Sequence, residues 1–383
     1  MIIPFNVPTE LGAEFDYIKD AIQNRKISGN GKYTELCHAY LEKLMGRGDA
    51  FLTTSCTHAL EMATLVAGIG PGDEVILPSF TFTSTANAVV LRGAIPVFVD
   101  IRPDTLNIDE TLLEAAITPK TKAIMVVHYA GVGCEMDAIC ALAARHGLLV
   151  IEDAAQALHA TYRGRQLGSI GELSAFSFHE TKNIIAGEGG ALMVNEPGLV
   201  GRSEILWEKG TNRVSFKRGE ISRYTWVDVG SSFLPSEITA AFLFAQLEKS
   251  VDATARRLAI WQRYHDLLAP VAAEGRIALP GPPDHCGHNG HIYYVVTQSE
   301  AEREDLLARL GEHAINAVVH YVPLHSAPAG LRFGRVSGDM HVTDRMSSRL
   351  IRLPLHLQLT HGDQDRVCEA IRTWTASRTA VGH

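Results

Sequence analysis

The stretch EMDAICALAARHGLLVIEDAAQA, residues 135–157, decides the fold. Its first half reads as a helix that stops at Gly147, a residue suited to the left-handed turn beyond a last helical residue. Its second half is a short unbroken apolar run, Leu148 to Ile151, that ends in two carboxylates, Glu152 and Asp153. A helix followed at once by a buried strand is half of a repeating unit, and the flanks repeat it. DEVILPSF, IPVFVDI and KAIMVVHYAG precede it, while SAFSFHE and GALMVNE follow, all short apolar or β-branched runs bounded by Gly, Pro or Asp. Helical segments such as NIDETLLEAAI, with Asp109 placed as an N-cap, lie between them. Strands alternating with helices imply an α/β fold with a mainly parallel sheet covered on both faces. Beyond Pro235 the pattern turns strongly helical over residues 236–275. A mixed unit follows, with strand candidates HIYYVVTQ and NAVVHYVPLH and the helix REDLLARLGEH. We expect a large domain over residues 1–245 and a smaller C-terminal α/β domain over residues 246–383.

Composition narrows the classes of function. The chain has 383 residues, 46% of them apolar and 20% charged, ordinary values for a globular protein. It has no apolar run of about 18 residues, so no membrane span is expected, and its N-terminal stretch does not read as a signal peptide. Six scattered cysteines without a CxxC pair suit a reducing cytoplasm. A net charge of −8 argues against non-specific nucleic-acid binding. An anionic ligand must then be held by local donors.

In a parallel α/β sheet, ligands bind at the carboxyl ends of the strands. Four loops there carry unusual chemistry. In TTSCTHALEMA, residues 53–63, Ser55 and Thr57 present hydroxyls and N–H groups where a helix begins, a site suited to phosphate, although Ser55 also suits a simple helix cap. In PSFTFTSTANA, residues 78–88, Phe80 and Phe82 leave a strand end, and one ring is available to stack on a planar ligand. In VIEDAAQA, residues 150–157, a buried Asp153 would be costly without a cation, and no Lys or Arg lies nearby in sequence. A ligand cation answers that, as does a second reading, Asp153 as the cap of a following helix.

The fourth loop is FSFHETKNIIAGEGG, residues 176–190, where Lys182 stands among apolar and small neighbours. A lysine in a desolvated setting has a lowered pKa and becomes a nucleophile towards carbonyls. A phosphate cradle, an aromatic slab, a carboxylate in need of a cation and such a lysine together are what pyridoxal phosphate requires.

The set SCTHALEMA, PSFTFTSTANA, VIEDAAQA, FSFHETKNIIAGEGGA and VPLHSAP resembles the DegT/DnrJ/EryC1/StrS family of nucleotide-sugar aminotransferases over nearly the whole chain. Within it, VHYAGVGCEMD, EKGTNR and YTWVDVGSSFLPS are similar to the transaminases that make dTDP-4-amino-4,6-dideoxyhexoses, of galacto or gluco configuration. The resemblance implies the type I fold of pyridoxal-phosphate enzymes, like that of aspartate aminotransferase, with a mainly parallel seven-stranded sheet. It implies pyridoxal 5'-phosphate as cofactor, pyridoxamine phosphate as its intermediate form, L-glutamate as amino donor, a dTDP-4-keto-6-deoxyglucose acceptor, and a homodimer with shared sites in surface-glycan or antibiotic-sugar synthesis.

Residue by residue, the resemblance makes Lys182 the lysine that holds the cofactor covalently. Asp153 becomes the partner of the pyridinium nitrogen, and Gln156 the neighbour of the phenolic oxygen. Phe82 takes the ring-stacking place. Ser55, Thr57 and Ser177 fall at phosphate positions, and Cys56 falls where the family usually has glycine. Ser232 stands where many members have an asparagine reaching across from the neighbouring subunit. His325, Tyr321, Lys209 and Arg213 fall on the sugar-nucleotide side.

Other classes fit less well. Sugar dehydratases of the same fold carry histidine at the place of Lys182. A non-catalytic binding protein on this scaffold has little use for both Lys182 and Asp153. GVGCEMDA lacks the third glycine of a dinucleotide loop. His285, Cys286, His288 and His291 match no standard zinc spacing, so no metal site is expected.

Overall fold

The computed structural model describes residues 2–379. Its principal sheet has eight strands in the order Asp49–Thr53, Gly190–Val194, Leu173–Ser177, Leu149–Asp153, Thr121–Val127, Glu74–Pro78, Ile95–Val99 and Arg335–Val336. Every pairing is parallel except the two made by Gly190–Val194. Six of these are the strands expected from sequence; the seventh, Asp49–Thr53, is not among them. The eighth is a two-residue edge strand from the C-terminal part, too short to leave a pattern.

The strands are apolar on both faces because both faces are covered. Ile76, Val97 and Ile124 point into one core with Leu41 and Leu243, while Val75, Leu77 and Met125, one residue out of phase, enter the opposite core with Leu60 and Leu206. Helix Met136–His146 ends as anticipated at Gly147, in the left-handed region with φ 63°. Asp109 accepts the Thr111 N–H as a cap, but of a single 3₁₀ turn, Glu110–Leu112, leading into the short helix Leu113–Ala116.

A separate core gathers Trp261, Tyr264, Leu306, Leu310, Ile351, Ile371 and Trp374 around the two-stranded ladder of Tyr294–Val296 and Leu350–Arg352. Ile3, from the N-terminus, is buried in it. Residues 316–325, expected as a strand, form none; Val318 makes a lone bridge to Arg352. The expected boundary at 245/246 cuts the last turn of helix Glu237–Glu248. We propose that the division falls at Lys249, which separates it from helix Ser250–Ala273. No described helix is long and apolar enough to cross a membrane.

The winding of the sheet reverses beside Glu74–Pro78, which has Ile95–Val99 on one side and Thr121–Val127 on the other. A crevice opens at such a reversal.

Candidate active site

A cavity of about 450 Å³ lies there, lined by the carboxyl ends of four strands: Thr81 and Phe82, Val127, Asp153 and Ser177. Register places these ends side by side, Val127 opposite Asp153 and Asp153 opposite Ala175. Ser55, Cys56, Thr57, Gln156, Lys182 and Tyr321 complete the wall with residues treated below.

The adjacent carboxylates of VIEDAA have opposite fates, because neighbours on a strand face opposite ways. Glu152 bonds to His128 at 2.8 Å and accepts the N–H groups of Gly168, Ile170 and Gly171. Burial pushes its carboxyl up, but the His128 hydrogen bond and charge and the backbone donors more than offset this, so its pKa is lowered. Asp153 is 5% exposed and, among the described residues, its carboxylate has only the Thr85 hydroxyl at 2.8 Å and the Ala155 N–H at 3.2 Å. Burial raises its pKa, against those two bonds and the charges of Lys182 and His128. No helix follows it, so the helix-cap reading falls.

Lys182 sits after strand Leu173–Ser177, its backbone N–H held by the His179 carbonyl. Burial lowers its pKa, while Cys56 and Asp153 act the other way and Arg352 reinforces the fall. Its ammonium has no hydrogen-bond or ion-pair partner among the described residues. A buried carboxylate without a cation and a lysine without an anion, in one cavity, fit a cofactor with a pyridinium nitrogen and an aldehyde.

The phosphate end is built by close approach. Ser55 caps helix Cys56–Val66, accepting the His58 N–H at 3.1 Å, so the capping role holds, and Ser55 also lines the cavity. Thr57 bonds to Ser84 at 2.7 Å, tying this helix to the first turn of helix Thr83–Val90. A Cβ on Gly190 would stand 2.4 Å from the Ser55 carbonyl carbon and 2.5 Å from the Cys56 nitrogen, so only glycine lets the two loops meet. Burial raises the Cys56 thiol pKa, with Asp153 adding to it, so this cysteine stays neutral. Gln156 accepts the Ala130 N–H at 2.7 Å and donates to the Tyr321 hydroxyl at 3.0 Å. Phe82, 60% exposed, stands at the rim.

Four expected residues do not line this cavity within the chain. His325 is turned away, bonded to Ser79 at 2.8 Å and 3.4 Å from Asp344. Lys209 and Arg213 are exposed, the latter 3.9 Å from Glu208. Ser232, also exposed, bridges to Glu208. His285, Cys286, His288 and His291 diverge: His285 bonds to Glu135, and His291 to Asn183 beside Lys182. The sequence reading missed His320, Arg352 and Phe5, which line the cavity from the C-terminal part and the N-terminal segment. HYVP and LIRLP carry the first two, but nothing local distinguishes them from strand residues.

With this geometry described, comparison with known proteins is informative. The chain matches the DegT/DnrJ/EryC1/StrS aminotransferase family over residues 9–372. It is 35% identical to the spore coat polysaccharide biosynthesis protein SpsC of Bacillus subtilis over 378 residues, covering 97% of this chain and 96% of that one. It is 36% identical to the GDP-perosamine synthase of Caulobacter vibrioides over 368 residues, covering 94% and 95%. Among solved structures it is similar to Spr1654 of Streptococcus pneumoniae in its PLP form, with 28% identity, a TM-score of 0.90 and coverage of 98% and 99%. The protein belongs to the DegT/DnrJ/EryC1/StrS aminotransferase family, with its type I fold, and its cofactor is pyridoxal phosphate.

Proposed function

We propose that the protein transfers an amino group from L-glutamate to the C4 ketone of a nucleotide-linked 6-deoxyhexose, dTDP-4-keto-6-deoxy-D-glucose being the first candidate. The observation that carries this reading is the pair of uncompensated opposite charges, Asp153 and Lys182, at strand ends facing one cavity. When bound, the cofactor supplies an electron sink for negative charge developing beside the transferred nitrogen. Asp153 would hold a proton on the ring nitrogen by its charge. Lys182 would hold the cofactor covalently between turnovers and, once released, carry a proton to and from the substrate's α-carbon; its lowered pKa leaves more of it as free base at neutral pH. Ser55, Thr57 and Ser177 would receive the phosphate, with the first N–H groups of helix Cys56–Val66. Gln156 would flank the phenolic oxygen and Phe82 the ring face.

A GDP-linked sugar is a second reading, favoured by the Caulobacter relative. A dehydratase is disfavoured by Lys182. Free cysteines, such as buried Cys37 and Cys134, suit a cytoplasmic enzyme of surface-glycan or antibiotic-sugar synthesis. The test offers the pure enzyme L-glutamate with dTDP- and GDP-linked 4-keto-6-deoxyhexoses in parallel, with NMR of the products. A 4-amino sugar on dTDP supports the first reading and one on GDP alone the second. No amino sugar from either, with 2-oxoglutarate absent, refutes both.

A further inference from the structure

Asn183, the residue after Lys182, fixes the proton of a histidine that shares the lysine's cavity. His291 is buried in the cavity wall, and its Nδ1 lies 2.7 Å from Oδ1 of Asn183. The direction of that amide is set by its other end. Its Nδ2 donates to the Asn289 carbonyl at 3.0 Å, and a carbonyl can only accept. Oδ1 therefore faces the ring, so Nδ1 must carry the hydrogen. Nε2 is left as a bare acceptor, without a hydrogen-bond partner among the described residues.

The frame around the ring is equally determined. Asn289 is buried and donates to the carbonyls of Gln156 and Leu158, both at 2.8 Å, while its Oδ1 accepts the His291 N–H at 3.1 Å. A Cβ on Gly131 would stand 2.0 Å from that Oδ1, so only glycine leaves it room. Arg257 clamps the same backbone, donating to the carbonyls of Gly290 at 3.1 Å and His291 at 2.9 Å. These bonds join the lysine's loop to Gln156 and to the chain entering the C-terminal part.

Charge keeps the ring neutral. Burial first, then the charges of Lys182, Arg257, Arg352 and His320, push the His291 pKa well below its usual value. A neutral imidazole beside an ammonium accepts a hydrogen bond and leaves the proton where it is. The other neighbours of Lys182 are unsuited to this. Asp153 serves the ring nitrogen, on the side of the cofactor ring opposite the aldehyde, and burial keeps the Cys56 thiol neutral.

We propose that His291 is the positioning residue of Lys182. Its Nε2 accepts a hydrogen bond from the lysine's side-chain nitrogen whenever that nitrogen is free of the cofactor, and so aims it at the carbon whose proton it carries. This rests on the reading of the site given above. The substrate carbon gives up a proton to Lys182 and keeps the bonding electrons; the histidine gains nothing.

¹⁵N NMR of the cofactor-free protein tests the first half, with the His291 signals identified by their loss in His291→Phe or their shift in Asn183→Ala. We expect a neutral ring protonated on Nδ1 at neutral pH. A proton on Nε2, or a charged ring, overturns the proposal. The second half compares wild type with His291→Phe, both loaded with pyridoxal phosphate, in single turnovers with L-glutamate and with L-glutamate deuterated at the α-carbon. We expect His291→Phe to slow this half-reaction at least ~10-fold and to change the half-saturating concentration less than about threefold. The deuterium effect on the rate should rise, because the proton step has lost its alignment. An unchanged rate overturns the proposal. So does a loss seen only in saturation, or a slower rate with the wild-type deuterium effect, which marks a structural defect. If His291→Phe does not fold, Asn183→Ala decides: it should free the ring to mix its tautomers and raise the deuterium effect, and an unchanged effect overturns the proposal. A wild type inert towards glutamate refutes the function itself, and is recognised because the fault precedes any substitution.

Discussion

Asp153 shows how much one residue can reveal and conceal. VIEDAA announces two carboxylates at a strand end, but the sequence does not say which of them the fold satisfies. Glu152 is held by hydrogen bonds to His128 and three backbone donors, whereas Asp153 faces the cavity with two donors. Removing its charge while keeping its shape should therefore separate catalysis from stability. For Asp153→Asn we expect kcat to fall at least ~10²-fold, because the protonated ring nitrogen loses its counter-charge. The cofactor-free variant should be more stable than wild type near pH 7. The folded pKa lies above the unfolded one, so wild type loses stability as pH rises from the unfolded value through the folded one. The variant's advantage, of order ~1 kcal/mol, should shrink as pH falls through the folded value towards the unfolded one and be gone below about 4. Thermal melts of both cofactor-free proteins across that range measure it; equal melting at neutral pH would mean that the carboxylate bears no burial cost.

Local pattern carried the elements further than the individual contacts. The helix ending at Gly147, the cap at Asp109 and the runs of the parallel strands were legible because each is fixed by neighbouring residues. NAVVHYVPLH failed because its apolar alternation is spent elsewhere: Val318 makes one bridge, while His320 and Tyr321 turn into the cavity. Leu350–Arg352 escaped notice as three residues before a proline, and Arg335–Val336 has no period to read. The site followed the same division. Ser55, Cys56, Thr57, Phe82, Asp153, Gln156, Ser177 and Lys182 stand on or beside strand ends of one sheet, and all line one cavity. Arg352, His320 and Phe5 reach it from segments distant in sequence, a juxtaposition that only tertiary packing creates.

At the scale of the molecule, the chain leaves a surface that one copy does not use. Trp226 is 77% exposed, and Val227 and Val229 beside it are about half exposed. Ser232 and Lys209 flank the same segment, as does Arg213 at the start of the short helix Arg213–Lys217, all outside their own chain's cavity. We propose that two chains associate through it and that each site is completed by the other's loop. Phe233 is buried in its own chain and cannot be altered in a test of this kind. A Lys182→Ala chain coexpressed with a chain altered at Trp226 and Ser232 should instead regain one working site in mixed dimers. Verified mixed dimers without activity, or a fully active monomer by light scattering, would refute the shared site.

The central claim is that Lys182 is where the cofactor is held. Borohydride reduction of the loaded protein, followed by peptide mapping, tests it most directly. The account predicts a pyridoxyl label on the peptide containing Lys182, and for Lys182→Ala a folded protein with neither label nor visible band. A label on any other lysine, or turnover surviving in Lys182→Ala, would contradict it.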